Sequence, residues 1–135
     1  MKLLMLSHGS LAHEMKKTAK MILGDFENVF SLGISEGQGI ADFEENLVDA
    51  IVADEETLIL TDLFGGSPFL TSAKIYNQAQ NNEFLQIVTG MNLPMVLEVI
   101  SNKDNYTLVE LGKFAKKCGY QGIKNVIEEV KGGIS

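Results

Sequence analysis

Residues Thr57 to Pro68 read TLILTDLFGGSP, and this stretch decides the fold. Its first part, Thr57–Thr61, is a short β-branched and apolar run with no polar alternation. That is the pattern of a strand covered on both faces, as in a parallel sheet. Asp62 ends the run. Leu63-Phe64-Gly65-Gly66 then forms a loop that opens a helix reaching about Gln80, with Ser67 as its expected N-cap. Pro68 stands at the first helical position, where a missing N–H costs nothing. A buried strand running into a glycine loop and a helix N-terminus is one half of a strand–helix–strand crossover.

The same alternation extends in both directions. Lys2–Ser7 is an apolar run stopped by His8-Gly9. Ser10 is placed to cap a helix over about 11–23, with Leu11, Met15, Ala19 and Ile22 on one face and Gly24 at its exit. Val29–Ile34 reads as a strand. Ile40, Phe43, Leu47 and Ile51 recur at helical spacing through about residue 53. Beyond the central stretch, Phe84–Val88 reads as a fourth strand and Leu93–Ser101 as a short helix. Thr107 and Glu110 fit a capping box for a helix ending near Cys118-Gly119. In the tail, Ile123, Val126, Ile127 and Val130 suit a helix face or an edge strand equally well. Four strand–helix alternations predict an α/β domain with an open, doubly wound and mainly parallel sheet, its helices on both faces.

Composition narrows the function. The chain has 135 residues, about one domain at ~150 residues per domain. It has 11 lysines, no arginine and 18 acidic groups, for a net charge of −7. Such a chain is a poor partner for nucleic acid, whose binding rests on neutralising phosphates. Without arginine there is no bidentate clamp or arginine finger. The single Cys118 makes no intramolecular disulfide and no cysteine-rich zinc site. No apolar run approaches the ~20 residues of a membrane span. The apolar start, Met1–Leu6, stops too soon for a signal peptide, so a cytoplasmic protein is expected.

In open parallel sheets, ligands bind beyond the carboxyl ends of the strands, near a switch in strand order. His8, Gly33–Ser35, Asp62–Ser67 and Thr89–Asn92 are therefore expected to gather on one edge. His8 is a nucleophile or base flanked by small residues. Asp62 can bond the ring N–H of His8, fix its tautomer and stabilise positive charge developing on it. Gly65, Gly66 and Ser67 lead into a helix N-terminus, whose free amides and positive dipole end suit an anion such as a phosphoryl group. Leu11, Met15, Phe64 and Met91 form an expected apolar docking rim. His13 reads as a solvent-facing helical histidine, and Cys118 as semi-buried filler. No cofactor and no metal are expected, since the two histidines, five residues apart, do not share a helix face in the i, i+4 manner.

LLMLSHGSLAHEM at the start, LILTDLFGGSPFLTSA in the middle and TGMNLPMVLE at 89–98 together resemble the IIA component of the mannose-type sugar phosphotransferase system. The similarity covers essentially the whole chain, in order. It implies a phosphoryl carrier that accepts its group from the phosphocarrier protein HPr onto His8. The group then passes to a histidine of a IIB component, and sugar enters through a membrane IIC/IID complex contacted only indirectly. The resemblance also implies that the phosphoryl group bonds Nε2 of His8, that Asp62 holds Nδ1, and that Ser67 helps bind the phosphoryl group. It implies a homodimer whose last, antiparallel edge strand is exchanged between subunits, which makes residues 120–135 of this single domain a dimer-exchange tail, with Gly119 and Gly122 supplying its hinge. The IIB partner would be a separate polypeptide. A phosphotransfer subunit of a dihydroxyacetone-kinase system and a non-catalytic regulatory or binding module of the same fold are the alternatives. A receiver domain is disfavoured because its magnesium carboxylates are missing after strand one. A histidine phosphatase would want arginines, and a nucleotide module a glycine fingerprint, and the sequence has neither.

Overall fold

Side chains that point alternately to opposite faces along the first strand divide the molecule into two cores. In the computed structural model, which describes residues 1–132, β1 (Lys2–His8) is flanked by β2 (Val29–Ile34) and β3 (Thr57–Thr61), and β4 (Leu85–Val88) lies outside β3. The sheet has four strands in the order β2-β1-β3-β4, all parallel. Successive side chains of a strand point to opposite faces. Leu3 and Met5 therefore join Leu58 and Leu60 on one face, while Leu4 and Leu6 join Ile59 and Leu85 on the other.

Helices cover each face. On the Leu3 side lie α1 (Leu11–Leu23), α4 (Leu93–Asn102) and α5 (Leu108–Gln121), contributing Ala12, Ala19, Val96, Val99, Leu111 and Ala115. On the Leu4 side lie α2 (Ile40–Ala50), with Phe43 and Leu47, and α3 (Ser67–Gln78), with Ile75. Each fully buried leucine contributes roughly 1.5–3 kcal/mol, so both faces of the central strands are strongly specified. The chain winds from β1 outward to β2, then crosses back to β3 on the other side of β1. The switch in strand order lies between β1 and β3, and their carboxyl ends carry His8 and Asp62. The α/β architecture expected from the sequence is thus present, with the site at the predicted edge.

Several boundaries differ, each for a local reason. The helix expected to reach residue 53 ends at Ala50, because Ile51 is already extended and Asp54 turns the chain at φ 66°. Gly66 rather than Ser67 is the N-cap of α3, so Ser67 is the first helical residue and Pro68 the second. The Thr107–Glu110 capping box is formed as expected. However, α5 continues past Cys118 and Gly119 to Gln121.

The tail is the largest difference. Among the described residues there is no fifth strand, and the exchanged antiparallel edge strand is replaced by a short helix, α6 (Val126–Lys131). Asn125 caps it by accepting the Glu128 N–H at 3.0 Å. Glu128 and Glu129 near its start and Lys131 in its last turn match the helix dipole. The apolar side chains of the tail are largely exposed: Ile123 before the helix and Val126, Ile127 and Val130 on it are 62–72% exposed. Residues 133–135 of the expected exchange tail lie outside the described residues.

Gly119 and Gly122, expected as hinges of that tail, serve close packing instead. A Cβ on Gly119 would stand 2.7 Å from the Met95 methyl, and one on Gly122 would overlap the ring of Pro94. Gly122→Ala should therefore lower stability by about 1–3 kcal/mol, the usual cost of overpacking. The measurement is the urea midpoint at constant m-value; an unshifted midpoint would restore the hinge reading.

Candidate functional site

His8 is the last residue of β1 and shares the α2/α3 face with Leu4 and Leu6 by strand parity. Asp62 follows directly after β3, and its N–H donates to Leu6 O at 3.1 Å, continuing the ladder one step beyond the strand. The two side chains meet there. Asp62 Oδ2 accepts from the main-chain N–H of His8 at 2.9 Å and lies 2.8 Å from His8 Nδ1. Asp62 Oδ1 accepts the Leu63 N–H at 2.9 Å.

The carboxylate is 7% exposed and the imidazole 48%. Burial works to raise the Asp62 pKa. The His8 N–H, the His8 ring, the Leu63 N–H and the charge of the ring together outweigh it and hold the carboxyl below its ordinary value. An ionised carboxylate only accepts hydrogen bonds, so the hydrogen-bond network assigns the proton of the neutral ring to Nδ1. The lone pair is left on Nε2.

That nitrogen faces the start of α3. A Cβ on Gly66 would stand 2.6 Å from His8 Cε1 and 3.3 Å from Nε2, so only glycine lets the ring edge lie against the helix N-cap. Gly65 makes the preceding turn at φ 88°. The intrahelical ladder begins with Leu70 N–H to Gly66 O. The amides of Ser67 and Phe69 precede it and have no acceptor of their own within the helix. Pro68 between them has no N–H. The arrangement sets a nucleophilic nitrogen beside free amides and a positive dipole end, the elements of a site for an anionic electrophile.

The loop after β1 is fixed from the other side. Gly9 N–H donates to Ile34 O at 2.8 Å, and the Gly9 carbonyl lies against Gly33, where any Cβ would overlap it. Gly33 thus belongs to the site's support, a role that strand periodicity alone does not reveal. The Thr89–Asn92 turn contributes differently from expectation. Asn92 caps α4 through the Met95 N–H at 3.0 Å and donates to Gly119 O at 3.1 Å, so it serves the α4–α5 junction and not His8.

Of the expected docking rim, Leu11 is exposed, Phe64 is 75% exposed, and Met15 is half-buried against the Leu3-side core. Phe64 stands against Phe69 with ring centroids 4.7 Å apart. Met91 does not belong to the rim: it is 6% exposed and packs in the core. Its N–H donates to Thr61 O at 3.0 Å, which draws the loop back across the end of β3. Leu63, exposed beside Gly66, takes part in the rim instead. His13 is exposed as expected. Cys118 is buried, and burial together with the charge of Glu98 pushes its thiol pKa up despite Lys117, as suits an inert thiol.

Comparison with known proteins matches the same regions. The family described as "EIIA-man: PTS system fructose IIA component" matches residues 2–116. A sorbose-specific EIIA component of the phosphotransferase system (PTS) from Lacticaseibacillus casei is 31% identical over 113 residues, covering 82% of this chain and 80% of the relative. A fructose-specific EIIA component from Bacillus subtilis is 28% identical over 127 residues, covering 92% and 85%. The crystal structure of a PTS IIA protein associated with the fucose utilization operon of Streptococcus pneumoniae superimposes with a TM-score of 0.78 at 32% identity, covering 96% of this chain and 95% of that one.

The Asp62 network carries a pH signature. Its folded pKa lies below the unfolded value of about 3.9, so its contribution to stability is complete above that value and is lost as the pH falls through the folded one. Asp62→Asn should cost about 1–3 kcal/mol near neutral pH, and the gap to wild type should narrow as the pH falls below the unfolded value of about 3.9 toward the lower folded one. Urea titrations at pH 7 and pH 3 measure both numbers, and a gap that does not depend on pH would mean that the carboxylate is not held as described.

Proposed function

The chain belongs to the mannose-type EIIA family of the sugar phosphotransferase system, and on that premise we propose that it carries a phosphoryl group on Nε2 of His8. The group arrives from phospho-HPr and leaves to a histidine of a IIB component. One observation carries this reading: the His8 ring is held through Nδ1 by Asp62 while its Nε2 edge rests on the N-cap of α3.

The chemistry follows from that geometry. The Nε2 lone pair attacks phosphorus as the N–P bond of the donor phosphohistidine breaks, and the donor imidazole leaves with the bonding pair. The Nδ1 proton stays on His8, and the carboxylate of Asp62 stabilises the positive charge that the ring acquires. The phosphoryl group in flight is loose and anionic. The Ser67 and Phe69 amides and the dipole of α3 stabilise it without reorganising, and Gly65 and Gly66 allow the close approach. Delivery to IIB is the same displacement in reverse. Exchange between two phosphohistidines is nearly balanced in free energy, so positioning rather than driving force is what the protein supplies.

Leu11, Met15, Leu63 and Phe64 form the apolar docking rim in this reading. A net charge of −7 steers a basic partner face toward it, giving a fast and salt-sensitive encounter. No helix among the described residues is long and apolar enough to cross a membrane. The proposed carrier works in the cytoplasm and meets the membrane IIC/IID complex only through IIB.

We assign the exposed tail to a homodimer. Among the described residues the outer edge of β4 has no partner strand, and a groove of about 650 Å³ between β4 and α5 is lined by Ile87, Val88, Met95, Lys113 and Lys116. The apolar stripe and the Glu128-Glu129 pair of a second copy's tail match that lining in polarity and charge. An open sheet edge is otherwise an aggregation hazard.

Incubation with enzyme I, HPr and phosphoenolpyruvate should label His8 with an acid-labile, base-stable phosphoramidate. His8→Ala should remove the label while preserving the far-ultraviolet circular dichroism spectrum, and His13→Ala should leave labelling intact. Label on Asp62, or label surviving in His8→Ala, would overturn the scheme. For the tail, sedimentation should find a dimer for the intact chain and a monomer or aggregate after truncation at Gly122. An intact chain that sediments as a monomer would exclude the tail-mediated dimer.

A further inference from the structure

Helix α1 is capped from an unexpected place. Ser10 occupies the N-cap position, but its backbone is not in the extended conformation of a capping residue (φ −93°, ψ 6°), and its side chain makes no capping bond. The N–H of Ala12, at the second helical position, goes instead to Ser7 Oγ at 2.8 Å. Ser7 is the residue before His8, is fully buried, and projects from β1 toward α1 while His8 projects toward α3. Its hydroxyl lies 3.5 Å from the Gly9 carbonyl, which in turn sits against Gly33. One buried hydroxyl thus closes the turn from Ser7 to Ala12, and His8 lies inside that turn.

We propose that Ser7 is a positioning residue for phosphoryl transfer: by holding the Ala12 N–H, its hydroxyl fixes the turn that keeps the His8 ring between Asp62 and Gly66. The alternative is a purely structural role, in which Ser7 caps a helix and nothing more. The two differ because His8 N–H and Nδ1 share one oxygen of Asp62. A turn that relaxes moves the His8 main chain relative to that oxygen and loosens the ring bond with it. Displacements of about 1 Å in such sites cost up to ~10²-fold in rate.

The inference rests on His8 being the phosphoryl acceptor, so its test has one arm that needs no phosphoryl transfer. In unphosphorylated protein, nitrogen-15 spectra of the His8 ring should show the Nδ1–H tautomer in wild type. In Ser7→Ala they should show a shift toward the mixture of a free imidazole. In the transfer assay, Ser7→Ala should lose roughly tenfold or more in kcat with KM for phospho-HPr unchanged. Ser7→Thr, which keeps the hydroxyl, should match wild type in both arms. Wild-type transfer by Ser7→Ala, an unchanged tautomer, or a Ser7→Thr variant as slow as Ser7→Ala would overturn the proposal. Should Ser7→Ala fail to fold, Ser7→Cys replaces it, since a thiol is similar in size and a weak acceptor. A wild-type rate in that variant would overturn the proposal equally. If wild-type His8 takes no label, the carrier reading falls, while the tautomer comparison still decides the role of Ser7.

Discussion

The carboxylate of Asp62 binds the main chain of His8 and the ring of His8 with the same oxygen. Because His8 ends β1 and Asp62 directly follows β3, that oxygen joins the adjacent strands where the strand order switches. Ring orientation and sheet register are therefore not independent: the ladder that pairs Leu6 with Thr61 also sets where the imidazole points. The Leu63 N–H on the other carboxylate oxygen extends the same constraint into the glycine loop and so to α3. Electrostatics, tautomer and helix placement all depend on one nearly buried group that three N–H groups keep ionised.

In the proposed function, a chain without arginine handles an anion through its backbone. Glycine at 66 lets the ring approach, glycine at 65 turns the loop, and the first turn of α3 presents amides already in place. Such donors are fixed by the fold and lose no side-chain entropy when they act. The site needs no mobile cation of its own, and its apolar margin of Leu11, Leu63 and Phe64 stays free for contact with another protein.

The sheet, its helices and the meeting of His8 with Asp62 were legible in the sequence because each rests on a local regularity. Apolar runs mark the strands, helical spacing marks the helices, and the position after a parallel strand marks the ligand edge. What escaped was set by contacts between distant segments. Met91 reads as an exposed loop methionine until its N–H is seen tied to Thr61 O. Ser67 reads as a cap until Gly66 takes that place, because only a residue without Cβ tolerates the His8 ring there. Gly33 reads as part of the ligand edge, but its packing against the Gly9 carbonyl is not legible, since that partner lies some two dozen residues away in sequence. The tail, which suited helix or strand alike, is helical over Val126–Lys131 because Asn125 supplies a local cap and, among the described residues, no strand pairs with it.

Pro68 gives the site a deliberate gap. A first turn can offer an unbroken row of amides to an anion, and proline at the second helical position interrupts that row. In the proposed carrier, a phosphoryl group resting there is held by fewer donors than the helix could otherwise present. Tight, complete enclosure would make the phosphorylated protein a sink from which the group could not escape at a useful rate. The proposed carrier has the opposite requirement: the load must sit shallowly enough that the next acceptor can take it, and one amide fewer in the first turn of α3 holds it less tightly.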